Sequence, residues 1–466
     1  TDNYGFFSFL NLPTKQYIAE ITHDQYVTDK ININTVNLSD TLVIYLLKKS
    51  FQTPTIVISE ERDILSYEDL LQQSNVLKGK ELQRHLSYTL AATLKDELGL
   101  SLQSLGPAPS RPVYRGLVGD RVLISEDGNK INDISATSPD HAVSVDPFSA
   151  NRIEVLRGPQ ILLQTPTTIG GIINIVKNDI PHTLTDKISG MAGLFGESVN
   201  RGYLGAINTQ VPIKPFMISF DLSGRKASDM QTPLGEIKNT ALSNFTLGVG
   251  SAYIDKNKTL GASFRQYTSE YGIPGGFLGS HPEGISINLK RRHINAEYEQ
   301  KLSGTWLQDF KINLNKTYFY QAEFEKANLI GAEFEISDYD GRIDFNHKLS
   351  KVFQTGSFGS SFEYRDFKIG GHVFTPFTKS YKQSLYLYEN AYMKNLILEA
   401  GARYEYNYFN PYDTRFVVPT RVFNTYSLSL SGIFEVSQDL FISANVSKSS
   451  RVPTIEELYS QGPHLA

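Results

Sequence analysis

The chain reads as a large antiparallel membrane β-barrel preceded by a mixed α/β domain and, ahead of that, a small β unit. Three observations lead there. From about residue 181 onward helix signals almost vanish, and long segments alternate apolar and polar residues with period two. Aromatic residues are abundant, with 26 Tyr and 27 Phe against a single Trp. Residues 54–180 instead mix short helical and strand patterns around glycine turns.

At 466 residues the chain is too long for one ordinary domain. Residues 1–50 carry strand-type residues broken by Leu-Pro and His-Asp, then the apolar run TLVIYLLKK. So short a unit is marginal as an independent core and is expected to be partial. Within 54–180, TLAATLKDELG predicts a short helix: Leu90, Leu94 and Leu98 share a face and Gly99 is the stop. RVLISEDGNKI predicts a strand entering a hairpin at Asp127-Gly128. Asp146 before Pro147 predicts a capped helix start, because Asp accepts from the first free N–H groups and Pro is tolerated at the first helical position. RIEVLRGP and GGIINIVKN predict two further strands.

The region 181–466 is justified by its alternation. In NLILEAGARYEYNYF, Leu396, Leu398, Ala400, Ala402, Tyr404, Tyr406 and Tyr408 are apolar or aromatic, and Glu399, Arg403, Glu405 and Asn407 between them are polar. GSFGSSFEYR repeats this with Phe358, Phe362 and Tyr364 against Ser357, Ser361, Glu363 and Arg365, and LFISANVSK with Leu440, Ile442, Ala444 and Val446 against Ser443, Asn445 and Ser447. A spanning strand needs roughly 9–11 such residues, apolar toward lipid and polar toward the lumen. A soluble sandwich also alternates, but its strands are shorter, about 5–6 residues. At about 25 residues per strand and loop, roughly a dozen strands are expected. The barrel is expected to be C-terminally incomplete in this sequence, which stops in loop-like residues after a strand.

Composition excludes several classes. A net charge of −4 supplies no basic face for nucleic acid. Zero cysteines exclude disulfides and thiolate metal sites. No apolar run is long enough for a transmembrane helix, and TDNYGFFSFL is not a signal peptide. There is no G-x-S-x-G, H-E-x-x-H or P-loop, so no catalytic residues are assigned.

The middle segments RPVYRGLVGDRVLISEDGNKIND, DPFSANRIEVLRGPQILL and TTIGGIINIVKNDIP, in that order across most of residues 105–181, resemble the plug of TonB-dependent outer-membrane receptors. One departure is Leu163-Gln164-Thr165 where many members carry Leu-Tyr-Gly, although Gly170-Gly171 is retained. The resemblance implies a plug (54–180) inside a barrel (181–466) of 22 strands when complete, in the outer membrane of a Gram-negative cell. It implies active import energised by a TonB-ExbB-ExbD complex. Residues 1–50 resemble the carboxypeptidase-regulatory-like extension of Bacteroidota receptors. By the same resemblance Thr55, Ile56, Val57 and Ile58 are the segment handed to TonB, where a short strand adds to a partner's sheet edge. Arg115, Glu154 and Arg157 sit where the family places plug residues that latch onto barrel carboxylates.

SPDHA, preceded by DIS, resembles a branch that includes zinc receptors, in which the Asp and His of this motif bind metal; here these are Asp140 and His141. Imidazole and carboxylate suit Zn²⁺ when thiolates are absent. An Asp in such a loop also serves simply to bond its own backbone. His372 in GGHVFTP and His464 in SQGPHLA are the candidates to complete the site. The histidine-rich external loop of zinc-type relatives is absent, with only His281 after YGIPGG. His23, His85, His182, His293 and His347 show no paired ligand spacing and read as surface or turn residues. The expectation is import of a scarce metal ion or complex, zinc favoured and carried as cargo with no cofactor required. A siderophore or haem receptor of the same mechanism is the alternative. A barrel enzyme lacks its motifs, and a passive porin or adhesin has no use for a plug.

Overall fold

A computed structural model describes residues 16–23, 26–34, 75–165, 170–275, 282, 284–303, 306–326, 329–350, 352–393, 395–437 and 440–461. Two compact units divide the chain, Thr1–Pro54 and Thr55–Ala466. In the first, strands β1 (Gln16–His23) and β2 (Tyr26–Asn34) pair antiparallel. The second holds an inner α/β domain and a large sheet.

The inner domain is built on five strands: β3 (Asn75–Lys78), β6 (Leu123–Glu126), β7 (Asn129–Lys130), β8 (Arg152–Leu156) and β9 (Ile172–Val176). Their order is β3-β8-β9-β6-β7, and β6 with β9 is the parallel pair. Central β9, IINIV, is buried at every position, which is why it reads as a continuous apolar run. Helices α1 (Gly79–His85) and α2 (Leu90–Leu94) and the hairpin of β4 (Leu100–Ser104) with β5 (Ser110–Tyr114) complete the domain. Leu77, Leu90, Leu94, Tyr114, Ile153 and Ile173 form part of one core. Helix α2 is shorter than its leucine spacing predicts. Leu98 is 84% exposed, so the third leucine finds no core to enter. Thr89 caps its start, accepting from the Ala92 N–H at 3.2 Å.

Two other local expectations appear in altered or exact form. Asp127 and Gly128 both take positive φ, 47° and 79°, the backbone of a two-residue hairpin turn. Asp146 does cap, accepting from Phe148 N–H at 3.0 Å, but the turn it starts is a single 3-10 turn, Pro147–Ser149. Gly171 (φ 115°) would place a Cβ 2.7 Å from the Leu156 carbonyl, so the retained glycine is a steric requirement.

Among the described residues the large sheet has 13 strands, each antiparallel to its neighbours. They are β10 (Ser189–Glu197), β11 (Gly202–Ile213), β12 (Phe216–Ala227), β15 (Leu242–Ile254), β16 (Lys258–Ile273), β17 (Ile285–Lys301), β18 (Leu307–Lys326), β19 (Leu329–His347), β20 (Phe353–Gly371), β21 (Thr378–Met393), β22 (Leu396–Pro411), β23 (Arg421–Ser437) and β24 (Leu440–Lys448). Among the described residues, β10 and β24 are its edges. A small hairpin of β13 (Met230–Thr232) and β14 (Gly235–Ile237) sits in the β12–β15 connection. Helix α3 (Ile455–Tyr459) follows β24, with a capping box between Thr454 and Glu457.

This sheet is inverted relative to a water-soluble one. In β22, Arg403, Glu405 and Asn407 are 5%, 1% and 2% exposed, while Tyr404 between them is 45% exposed. Polar side chains therefore face the inner domain, and Phe362, Leu385, Leu387, Leu428 and Leu430 face outward. Apolar side chains stay outward where the surrounding solvent is hydrocarbon. No helix among the described residues is long and apolar enough to cross a membrane. Toward one end of the wall the inward face turns apolar: Phe334, Ile336, Phe367, Ile369 and Phe409 join Ile455 and Tyr459 of α3.

Candidate functional site

The inner domain is held to the wall by buried polar contacts. Glu126, at the end of β6, meets Lys177 at 2.6 Å and the Arg291 guanidinium of β17 at 2.5 Å. Burial pushes its carboxyl up, but the two cations outweigh burial and hold it far below the usual carboxylate range. Arg291 also donates to the Ser144 carbonyl at 3.0 Å. Asp179 pairs with Arg265 of β16, which reaches Asp221 of β12 at 2.6 Å. Asn132 donates to Asp338 at 3.1 Å and accepts from Arg365 at 2.7 Å. Arg403 donates to the Leu162 and Leu163 carbonyls at 3.1 and 3.2 Å. These contacts fix position more than they add net stability.

The residues expected as the latch lie elsewhere. Glu154 turns inward to its own domain, pairing with Arg152 at 2.6 Å and accepting from Asn174 at 3.0 Å. Arg157 lies over the Tyr114 ring at 5.0 Å, and exposed Arg115 flanks the same ring at 5.8 Å. Among the described residues, the arginine–carboxylate pairs that join the two, Glu126–Arg291 and Asp179–Arg265, place the acid on the inner domain and the arginine on the wall. An arginine presents its guanidinium from the wall at the end of a long stem, so the wall supplies the reach.

Between those anchors lies the Asp140–His141 loop. Asp133 closes it by accepting from Ser135 N–H at 3.0 Å and Ser144 N–H at 2.9 Å. The Tyr271 hydroxyl of β16 donates to the Asp140 carbonyl at 3.0 Å and accepts from Ala142 N–H at 2.9 Å. Both Asp140 and His141 are fully buried rather than displayed on a solvated turn, because wall strands β16, β18 and β19 close over them. His141 Nδ1 donates to the Ile134 carbonyl at 3.1 Å, which turns Nε2 toward Glu323 Oε1 at 2.9 Å and Asp140 Oδ2 at 3.6 Å. Phe334 packs edge-on against the imidazole, ring centroids 5.4 Å apart. Among the described residues, neither carboxylate oxygen of Asp140 has a hydrogen-bond partner.

One nitrogen and two oxygen ligand atoms, from Asp140, His141 and Glu323, thus lie within 4.8 Å of one another. The imidazole is oriented as a metal ligand is, with its other nitrogen donating to a backbone carbonyl. Burial pushes the imidazole pKa down, but the Asp140 charge and the Glu323 contacts more than reverse this and bring it to about 9. A cation arriving here displaces a proton. The set suits a borderline divalent ion, and the two bare oxygens of Asp140 supply the acceptor such an ion satisfies.

Of the residues expected from sequence, only Asp140 and His141 are brought together. His372 is exposed on the connection after β20, where its N–H donates to the Gly331 carbonyl at 2.7 Å, and it is not one of the three. His464, His281 and the segment Thr55, Ile56, Val57 and Ile58 lie outside the described residues. Sequence reading missed Glu323. It sits in QAEFEK, where a carboxylate in an alternating strand carries no mark of which loop it will face; its inward register beside Gln321 was the available signal.

Residues 66–172 match the TonB-dependent receptor plug domain, and residues 234–465 match the TonB-dependent receptor-like β-barrel. The chain belongs to the TonB-dependent receptors. This receptor is 26% identical over 261 residues to a ferric aerobactin receptor of Klebsiella pneumoniae, covering 52% of the chain and 35% of that protein. It is 21% identical over 461 residues to a hemin receptor of Yersinia pestis, covering 92% and 64%. The chain therefore spans between about a third and two thirds of these relatives' length. Its fold is similar to that of the copper transporter OprC, with TM-score 0.71 at 14% identity over 82% of this chain and 63% of that one. It is equally similar to the Serratia marcescens hemophore receptor HasR in complex with hemophore and heme, with TM-score 0.71 at 16% identity over 84% and 65%. The inner domain is the plug.

Proposed function

We propose that this receptor imports a metal-bearing ligand across the outer membrane of a Gram-negative cell, driven by a TonB-ExbB-ExbD complex. The observation that carries the reading is a folded plug seated against a lipid-facing wall by buried ion pairs, centred on Glu126 and Arg291. A seat of that kind blocks passive flow and yields only to work done on the plug. Residues 55–58 receive that pull, and residues 1–50 are an N-terminal extension ahead of the plug.

The cargo is an iron chelate, a siderophore or haem. The relatives described as ferric aerobactin and hemin receptors support this choice. A second reading, import of a bare divalent ion such as zinc, rests on Asp140, a fully buried carboxylate with two unbonded oxygens beside His141 and Glu323.

Growth of a deletion strain under separate iron-siderophore, haem and zinc limitation tests both. A defect on either iron source, with normal growth on low zinc, supports the chelate reading. A defect on low zinc alone, reproduced by His141→Ala, supports the ion. Normal growth under all three overturns import. Deleting residues 55–58 is expected to abolish uptake while outer-membrane insertion persists; undiminished uptake rejects the TonB assignment.

A further inference from the structure

A second cluster of ligating groups lies at the other end of the wall, and the import reading does not use it. The plug leaves β9 through a linker, Lys177 to Ile188, that runs to the first wall strand. His182 of this linker points its Nε2 at Glu297 Oε1 of β17, 3.3 Å away. Glu299, two residues on and on the same face of β17, completes a set whose ligand atoms all lie within 4.8 Å of one another. The register pairs Glu297 with Asn313 of β18. Glu323 of the first cluster stands ten residues further along β18, about 33 Å at the rise of a strand. The two clusters are therefore separate sites.

The second cluster is built around an unmet acceptor. Glu297 is 6% exposed. Its Oε2 is occupied by Lys311 at 2.9 Å and Asn313 at 3.4 Å. Its Oε1 is buried and has no hydrogen bond among the described residues; the His182 contact at 3.3 Å is an ion-pair approach only. Lys311 neutralises one carboxylate, and Glu299 restores a net negative charge to the set. One imidazole nitrogen and two carboxylate oxygens, with water in the remaining position, form a donor set for a borderline divalent transition ion and not for a cation that prefers oxygen alone.

We propose that His182, Glu297 and Glu299 bind a divalent transition-metal ion that clamps the plug-to-wall linker against β17. The ion is structural: it sits on the connection rather than beside the Asp140 loop, and it ties a linker residue to two wall residues.

Zn²⁺ binding by equilibrium dialysis tests this on the detergent-purified, EDTA-stripped chain carrying His141→Ala, which removes the first cluster. One Zn²⁺ per chain is expected, with affinity falling about tenfold or more when His182→Ala is added. Glu299→Gln is expected to do the same while leaving the Lys311–Glu297 pair intact, so a loss there is not misfolding. Heat-modifiable gel mobility verifies the barrel in each variant. Absence of Zn²⁺ binding at about 100 µM, or binding that neither variant weakens, overturns the proposal. Because the readout is binding and not uptake, the import reading stands or falls separately.

Discussion

Glu126 shows how a single residue commits the plug to the wall. Its carboxylate is buried between Lys177 of the plug and Arg291 of the barrel. Removing one of the two cations leaves the buried carboxylate with the other alone, at a cost below the about 3–5 kcal/mol of a fully unpaired buried charge. Arg291→Met is thus expected to lower the urea midpoint of plug unfolding, and adding Glu126→Gln to restore part of the loss. The pH dependence follows from the same pair. Arg291 and Lys177 depress the folded-state value below the ordinary 4.5, despite burial. A depressed acid contributes stability that is complete above about pH 4.5 and is lost as pH falls toward the folded value. The difference in plug stability between wild type and Glu126→Gln should be constant from pH 7 to 4.5 and shrink below it. A difference that instead shrinks on going up from pH 4.5 would contradict the ion pair.

Strands β21 and β22 carry the argument at the next scale. Their inward positions are polar and mutually bonded: Ser384 Oγ donates to Glu405 at 2.9 Å, and Arg403 meets the same carboxylate at 3.0 Å. Their outward positions, such as Leu385 at 57% exposure, are left largely uncovered. Period-two alternation with inverted burial means that a one-residue slip would put charges into lipid, which pins the register. Leu385→Arg is expected to destabilise the wall in lipid vesicles by about 2–4 kcal/mol, the cost of a cation near the bilayer midplane. Leu385→Ile should be close to neutral. Equal effects of the two in urea unfolding would mean that this face does not meet hydrocarbon.

For the whole molecule, the outward apolar band predicts where the chain sits in a bilayer. The single tryptophan is a built-in reporter. Trp306, in the β17–β18 connection, is 50% exposed and stacks on Phe358 with ring centroids 6.3 Å apart. A half-exposed indole at a strand end belongs at the headgroup level. Its fluorescence in reconstituted vesicles should be quenched more by lipids brominated near the headgroup than by those brominated at the chain terminus. The reverse order would place this end of the wall at the wrong depth.

The fold class was open to sequence reading because it rests on local periodicity. Alternation in segments such as NLILEAGARYEYNYF, the Asp127-Gly128 turn and the apolar run of β9 each declare their geometry within a dozen residues, since backbone pleat and turn sterics act between near neighbours. Asp140 and His141 were singled out by the resemblance of their loop, in which they are adjacent. Their partner was not. Glu323 lies 182 residues from His141 along the chain, and only the stacking of β16 to β19 around the plug brings it there. The same holds for His182, which reads as a turn residue until β17 sets Glu297 and Glu299 beside it, and for the latch, where the arginines come from the wall. The sequence pattern by itself determined an inside-out wall and a compact α/β domain; that the domain is a stopper inside the wall was implied by its resemblance to the plug of TonB-dependent receptors. Which charges meet across that interface was decided only in three dimensions, because pairing between distant strands depends on register and barrel curvature, and these belong to the assembled sheet rather than to any one segment of it.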